Sequence, residues 1–163
     1  MSKAALKRGT FRYGEILGHV GLDAATAATA AEFASDYYAS QEAIEFSGDD
    51  VETFEVPEWF PSIESLLPAA HLAKFGLRWS GRINYNELIA TLGVDQHVDD
   101  IYGTVLCLVL HNDGLTFKQG GVSHKPAAGD WFVFNDRVNH GVKEAKGASV
   151  FLAMTLPLVP LEA

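Results

Sequence analysis

The sequence predicts one domain that consists mainly of β-strands, arranged as a sandwich or barrel and preceded by helices. Short runs of apolar and β-branched residues, separated by Gly, Pro, Asn and Asp, fill residues 77–156, which is the pattern of an all-β architecture. Residues 1–75 are partly Ala-rich and carry apolar residues at helical spacing. A length of 163 residues fits a single domain. The expected organisation is therefore a helical N-terminal part, 1–75, and a β core, 77–156.

The first helix is predicted over residues 22–46, an Ala-rich segment with aromatic residues at helical spacing. Residues 51–60 are predicted to form an acidic linker, while residues 11–17 fit a short strand or a helical turn equally well. A second, short helix should begin near Pro61, because proline is well tolerated in a first helical turn. Pro68 then fits only if it also falls in that first turn or if the helix restarts there.

The strands follow after Gly76. Residues 103–110 are apolar on both faces and predict a strand that is covered on both sides. Breaks are expected at Gly93 and, because proline cannot donate a backbone hydrogen bond, at Pro157. The predicted strands are 77–80, 83–89, a segment around His97, 103–110, 115–118, 131–134, 138–142 and 149–156.

Composition excludes several classes of partner. The net charge is −9 and the Lys and Arg residues are scattered, so duplex nucleic acid is not an expected partner. No apolar run approaches membrane-spanning length, and residues 1–10 lack the apolar core of a signal peptide. The only cysteine, Cys107, lies within an apolar run and is expected to be a buried small hydrophobe. A single cysteine cannot form a disulfide within the chain, which fits a reducing compartment. We therefore expect a cytoplasmic location.

The segment around His97 contains candidate metal ligands. Residues two apart in a strand point to the same side, so His97 and Asp99 would present an imidazole and a carboxylate together. A second imidazole from His140 would complete a set of two histidines and one carboxylate, which suits non-haem Fe(II). The spacing alone is weak evidence, because a second His-x-Asp triplet begins at His111. That triplet is followed by Gly114 and is predicted to be a turn.

A series of features in residues 77–156 resembles the Fe(II)/2-oxoglutarate-dependent oxygenase family. Each feature alone is unspecific, and their order and spacing carry the likeness. In chain order they are Tyr85 on a strand, the Gly93 break, His97-x-Asp99, an apolar strand and turn, Phe117 with Gly120-Gly121, Pro126-x-x-Gly129-Asp130 before an apolar strand, and His140-Gly141-Val142.

The resemblance implies a fold and an activity. The expected fold class is α+β, mainly β, namely a double-stranded β-helix (jelly roll) with the N-terminal helices packed on one sheet. Fe(II) would bind His97, Asp99 and His140. The protein would be a dioxygenase that uses 2-oxoglutarate and O₂, and its expected reaction is hydroxylation of a small molecule or a protein side chain.

One position departs from the family pattern. The family commonly has an Arg or Lys about ten residues after the distal histidine, where it pairs with the far carboxylate of 2-oxoglutarate. Here that position falls at Val150 or Phe151, and no basic residue follows Lys146. Since a carboxylate in an apolar pocket without a cation is strongly disfavoured, use of 2-oxoglutarate would require another anchor.

The sequence offers several candidates for that anchor. Lys118 is the first candidate, because some family members use a lysine on this strand; it would have to point inward, and the alternative is a solvated hairpin lysine. Arg82 and Arg78 are the next candidates. Tyr85 and Asn84 would donate hydrogen bonds to the same co-substrate, although Tyr85 fits a half-buried structural tyrosine equally well.

Two other functions fit the same pattern. One is a cupin-like metal enzyme that does not use 2-oxoglutarate; the missing C-terminal cation favours it, while a His-x-Asp triplet in place of His-x-His disfavours it. The other is a non-enzymatic jelly-roll protein with a scaffold or assembly role. In that case the three candidate ligands need not converge and metal should be absent.

Overall fold

The computed structural model of the protein describes residues 11–41, 49–58, 60–81, 86–143 and 149–162. The helices are α1 (Ala24–Gln41), α2 (Ile63–Leu66) and α3 (Ala69–Ala73). The strands are β1 (Ile16–His19), β2 (Asp49–Glu55), β3 (Leu77–Trp79), β4 (Glu87–His97), β5 (Thr104–Asn112), β6 (Thr116–Gln119), β7 (Val122–His124), β8 (Asp130–Asn135), β9 (His140–Lys143) and β10 (Phe151–Pro160).

Helix α1 confirms the first predicted helix over residues 24–41; residues 42–46 of that prediction lie outside the described residues. The carboxylate of Asp23 accepts hydrogen bonds from the backbone N–H of Thr26 at 2.7 Å and from its hydroxyl at 3.1 Å. These bonds lower the pKa of Asp23 and satisfy a free donor at the start of the helix. The buried face carries Thr26, Ala30, Ala34 and Tyr37, so mostly small side chains allow the helix to lie close to the sheet.

The second predicted helix is present as two short pieces. Ser62 caps α2, where its hydroxyl accepts a hydrogen bond from the backbone N–H of Ser65. Pro68 stands immediately before α3, so the helix restarts at this proline as predicted. Ile63 and Leu72 are buried in the apolar layer under the helices.

The predicted acidic linker is wrong over its first half, because residues 51–55 belong to strand β2. Val51, Thr53 and Phe54 are strand-forming residue types, and β2 pairs antiparallel with β4, with Phe54 opposite Leu88. The acidic residues of this segment suit an exposed strand: Glu52 and Glu55 are exposed, and charge on an exposed strand discourages pairing with other chains.

All the strand pairs are antiparallel and form one strongly curled sheet in the order β1-β8-β5-β10-β4-β9-β6-β7. Strand β4 pairs with different neighbouring strands along its length. Its first half, residues 87–91, pairs with β10, and its second half pairs with β9 through Val94 and His97. Gly93, with φ of 137°, lies between the two halves. The predicted fold class, a jelly roll with N-terminal helices, is confirmed.

Two predicted strand boundaries are corrected, and one strand was missed. Gly93 bends β4 without ending it, and β7 was not predicted. Strand β10 continues through Pro157 to Pro160. Pro157 lies just past the last pair of β10 with β4, at Thr155, and its carbonyl accepts a hydrogen bond from the backbone N–H of Ser80 at 3.3 Å.

Two apolar layers enclose the curled sheet. The larger layer lies between the helices and the outer face of the sheet and includes Trp131, Leu108 and Met154. The smaller layer fills the inside of the curl and consists of Cys107, Val109, Leu115, Phe117, Phe132, Val142, Phe151 and Ala153. We call this second set the inner apolar cluster. Among the described helices, none is both long enough and apolar enough to cross a membrane.

Candidate metal centre

The pairing of β4 with β9 brings the two candidate histidines together. His97 is the last residue of β4 and lies opposite His140, the first residue of β9. Their imidazole ring centroids are 4.5 Å apart. His97 is partly exposed and His140 is buried, so the pair lies at the opening of the curled sheet with one ring deeper than the other.

The carboxylate of Asp99 completes the cluster. Its Oδ2 lies 3.3 Å from His97 Nε2 and 3.2 Å from His140 Nε2. One potential ligand atom from each residue lies within 4.8 Å of the others. The structure therefore brings together the three residues predicted as metal ligands, with two imidazole nitrogens and one carboxylate oxygen facing a common point.

The outer nitrogen of each imidazole ring is held by the backbone. His97 Nδ1 lies 2.8 Å from the carbonyl oxygen of Asp95, and His140 Nδ1 lies 2.8 Å from that of Val138. Because a carbonyl oxygen only accepts, each Nδ1 carries the proton and donates. The lone pair is then on Nε2, which is the tautomer that a metal requires, and the ring orientation is fixed as in many metal-binding histidines.

The loop that carries Asp99 is organised by the buried carboxylate of Asp136. Its Oδ2 accepts hydrogen bonds from the backbone N–H groups of Ile101 at 3.2 Å and Tyr102 at 2.7 Å, and its Oδ1 accepts one from Gly103 at 2.7 Å. The backbone carbonyl of Asp136 accepts a hydrogen bond from the N–H of Asp99 at 2.9 Å. Asp136, 2% exposed, thus fixes the shape of the metal loop.

In the sequence, Asp136 has only the features of a turn residue. The available signal was an acidic residue at the end of an apolar strand, four residues before His140, but an Asn-Asp pair at a strand end predicts a turn just as well. The three backbone donors that bind this carboxylate lie more than thirty residues away. Sequence spacing alone therefore does not identify it.

Asp100 does not compete with Asp99 for the metal position. It has a positive φ of 53°, and its carboxylate forms an exposed ion pair with Arg137, with Nε and Oδ1 2.9 Å apart. Arg137 is therefore engaged at the surface beside the site.

A cavity of about 680 Å³ opens next to the three residues. Its acidic lining residues are Glu87, Asp95, Asp99 and Asp136, and none of the described residues that line it is Lys or Arg. The remaining lining is largely apolar or weakly polar and comprises Val51, Thr53, Ile89, Thr91, Val94, Gln96, Ile101, Tyr102, Val105, Cys107, Phe117, Phe134, Val142, Phe151, Ala153 and Thr155, together with the two histidines.

The structure does not bring Lys118, the first predicted anchor for 2-oxoglutarate, into this cavity. Side chains alternate along β6, so Phe117 and Gln119 are buried inside and Lys118 is exposed on the outer face. Lys118 lines a separate, smaller depression with Lys143 and Asp95. The expected inward orientation of Lys118 is therefore corrected, and the solvated alternative describes its position.

Arg78 is the one other predicted anchor within the described residues, and it does not line the cavity. Arg78 lies on β3, and its guanidinium donates to the backbone carbonyl of Trp79 at 3.2 Å. Arg82, Asn84 and Tyr85 lie outside the described residues.

The position that usually carries the basic residue in the family is apolar here. Phe151 is buried in the inner apolar cluster and lines the cavity. Val150 is also buried, in the layer under the helices. The deep end of the cavity therefore presents hydrocarbon where the family pattern calls for a cation.

Comparisons with known proteins give matches in structure. No protein-family model matches the chain, and no curated protein matches it in sequence. A prolyl-4-hydroxylase from Pseudomonas putida is 18% identical, with 86% of this chain and 90% of that chain covered and a TM-score of 0.51. AviO1 from Streptomyces viridochromogenes Tue57 is 15% identical, with 89% of each chain covered and a TM-score of 0.51.

A third match has the same character. A prolyl hydroxylase from Trichoplax adhaerens, solved with a peptide fragment of the hypoxia-inducible factor, is 14% identical, with 89% of this chain and 83% of that chain covered and a TM-score of 0.51. At these identities the likeness establishes the fold. The structural neighbours thus include oxygenases with a double-stranded β-helix, and this chain shares that fold.

Proposed function

We propose that the protein is a non-haem Fe(II) oxygenase. The observation that carries this proposal is the convergence of two imidazole Nε2 atoms and one carboxylate oxygen, from His97, His140 and Asp99, at the opening of a cavity. This donor set suits Fe(II) and leaves coordination positions open for O₂ and an organic ligand. The convergence also counts against a non-enzymatic scaffold, since a scaffold has no need to bring these residues together.

Bound iron would supply the oxidising chemistry that hydroxylates an unreactive C–H bond with O₂. The protein would hold the metal ligands and the organic ligand in fixed positions. Backbone carbonyls fix both imidazoles, and Asp136 fixes the loop of Asp99. The largely apolar cavity wall would hold the organic ligand beside the metal.

2-Oxoglutarate is the co-substrate that the sequence resemblance implies. Its 2-oxo acid end suits the open metal positions. Its second carboxylate, however, would find no Lys or Arg among the described cavity residues, and the apolar Phe151 lines the cavity at a position where the family pattern has a cation. A 2-oxoglutarate-dependent dioxygenase would therefore need its anchor from Arg82, with Asn84 and Tyr85 as hydrogen-bond donors.

A second candidate is a cupin-like metal enzyme that oxidises its substrate without 2-oxoglutarate. The specific observation in its favour is the acidic and apolar lining of the described cavity. Such an enzyme would use the same three ligands and would bind the organic substrate in the space that the co-substrate would otherwise fill.

The volume and lining of the cavity limit the size and polarity of the substrate. A volume of about 680 Å³ fits a small molecule or an inserted side chain. Exposed apolar side chains stand on the loops of the metal ligands: Val98 and Ile101 beside Asp99, and Val138 beside His140. These residues would favour a substrate that carries an apolar group, either a small metabolite or a segment of another protein.

The test is an anaerobic titration of metal-free protein with Fe(II) and then with 2-oxoglutarate, followed through the visible iron-to-oxoglutarate charge-transfer band. We expect one Fe(II) per chain, lost in His140→Ala and retained in His111→Ala, which alters the second His-x-Asp triplet. A charge-transfer band supports the 2-oxoglutarate class, and its absence with iron bound supports the cupin-like class. Absence of Fe(II) binding overturns the proposed function.

A further inference from the structure

Glu87 lines the same cavity as the three candidate metal ligands. In the first half of β4 the inward positions alternate, and Glu87, Ile89 and Thr91 all line the cavity. The bend at Gly93 returns the second half of the strand toward the same opening, where it ends at His97. One strand therefore contributes Glu87 to one wall and a metal ligand to the other.

Among the described residues that line the cavity, none carries a positive charge that could compensate the carboxylate of Glu87. Its neighbours in register are Thr155 on β10 and Glu55 on β2, and within the described part of the chain it forms no ion pair or hydrogen bond. Burial, together with the negative charge of Asp99, raises its pKa. A half-buried carboxylate with no partner favours a cationic or hydrogen-bond-donating group and disfavours a second anion.

The charge of the metal centre does not alter this conclusion. Two neutral imidazoles and the Asp99 carboxylate around a divalent ion leave one net positive charge, which suits a single carboxylate or oxyanion on the metal. Glu87, on the other wall, is left for the remainder of the ligand. An ammonium group that approaches the Glu87 carboxylate in this partly solvated cavity should bind about tenfold more tightly than a neutral group.

We infer that Glu87 is a specificity-determining residue that binds a positively charged group, such as an ammonium or guanidinium, on the organic ligand that shares the cavity with the metal. The apolar body of that ligand packs on Ile89, Val105 and Phe134. A second carboxylate, as in 2-oxoglutarate, is disfavoured in the same position. This inference rests on the proposed function for the metal end of the ligand and adds the charge of its other end.

The direct test compares butylammonium with 1-butanol, a neutral probe of the same length. Affinities are measured by saturation-transfer NMR, and proximity to the site is measured by the relaxation that protein-bound Mn(II) causes in the probe protons. We expect wild-type protein to bind butylammonium about tenfold more tightly than 1-butanol. Glu87→Gln should abolish this preference, and Glu32→Gln, which removes an exposed helical carboxylate of equal charge, should retain it.

A second pair of probes tests exclusion of the anion. We compare 2-oxoglutarate with 2-oxopentanoate, which has the same chain length and no second carboxylate, on Mn(II)-loaded protein by calorimetry. Glu87→Gln should increase the affinity for 2-oxoglutarate by about tenfold, and Glu87→Lys should increase it further. Neither change should alter the affinity of 2-oxopentanoate.

The results separate this inference from the proposed function. Equal binding of butylammonium and 1-butanol, or a preference that survives Glu87→Gln, overturns the role of Glu87. Failure of the wild-type protein to bind Mn(II) or Fe(II) through His140 overturns the proposed function instead, and the ammonium preference is still measured on metal-free protein. Circular dichroism of each variant verifies that it is folded.

Discussion

The backbone carbonyl of Asp136 accepts a hydrogen bond from the backbone N–H of Asp99 at 2.9 Å. This contact joins the loop of the carboxylate ligand to the turn that leads into His140. The side chain of Asp136 strengthens the connection by binding three further N–H groups of the same loop. The positions of two candidate metal ligands, Asp99 and His140, thus depend on one buried carboxylate.

Asp136→Asn should therefore weaken metal binding as well as stability. The amide retains one acceptor and directs an NH₂ group at backbone N–H donors, so we expect a loss of about 1–3 kcal/mol in the free energy of unfolding. Because the residue positions a ligand, metal affinity should fall by about 10- to 100-fold in protein that is still folded. Urea unfolding and metal titration measure the two effects, with exposed Asp113→Asn as control. Unchanged metal affinity would refute the positioning role.

Metal binding should stabilise the fold in a way that depends on His97. At a free metal concentration one hundred times the dissociation constant, the stabilisation is about 2.7 kcal/mol, equivalent to a rise in Tm of roughly 5–10 °C for a domain of this size. His97→Ala should abolish the rise, and His111→Ala should preserve it. Thermal unfolding with Mn(II) and then with a chelator measures this. An equal rise in both variants would place the metal elsewhere.

Lys118→Ala should leave ligand binding in the cavity unchanged. The side chain lies on the outer face of β6, opposite to Phe117, which lines the cavity. We expect less than a twofold change in the affinity for 2-oxoglutarate or 2-oxopentanoate on metal-loaded protein, measured by calorimetry. A large loss that is confined to 2-oxoglutarate would restore Lys118 as the anchor and would contradict the strand orientation described above.

Gly141→Ala should disturb the metal centre through the backbone. A Cβ atom at Gly141 would lie 2.8 Å from the carbonyl oxygen of Val94 and 3.1 Å from the backbone nitrogen of Gln96. Strand β9 would have to move away from β4, so we expect a loss of about 1–3 kcal/mol in stability and weaker metal binding. Gly21→Ala, which meets no atom within 4 Å, is the matched control. Equal stability of the two variants would refute this close packing.

Cys107 should make stability fall at high pH. Burial raises the pKa of its thiol well above the usual value of 9.0, so above pH 9 the unfolded chain releases a proton that the folded protein retains. Stability from this group should decline by up to about 1.4 kcal/mol per pH unit. Urea unfolding between pH 8 and 10 measures the slope, which should be shallower in Cys107→Ala. Parallel slopes would mean that the thiol ionises in the folded state.

The sequence predicted the fold class, the first helix and most strands, because periodicity and turn residues act locally. It also predicted the residues that converge at the candidate metal centre. His97 ends β4 and Asp99 lies in the loop two residues later, and the apolar run before His140 indicated another strand. The pairing of β4 with β9, which places the two histidines opposite each other, was not predicted.

The errors arose where neighbouring strands determine the outcome. Residues 51–55 have a mixed acidic composition and form a strand because β4 supplies the backbone partners. Lys118 was expected to point inward, but the direction depends on the register of β6 against β9, and a shift of one residue reverses every side chain. Glu87 was not singled out, since its place in the cavity follows from the bend in β4.

Strand β4 contributes residues both to the candidate metal centre and to the remaining cavity wall. The metal ligands come from the end of β4, the following loop and β9, whereas the opposite wall comes from β2, β10 and the beginning of β4. Substitutions in that wall change the cavity and leave the three candidate metal ligands in place. A library restricted to positions 51, 53, 87, 89 and 155 would therefore vary the shape and charge of the cavity without altering those ligands.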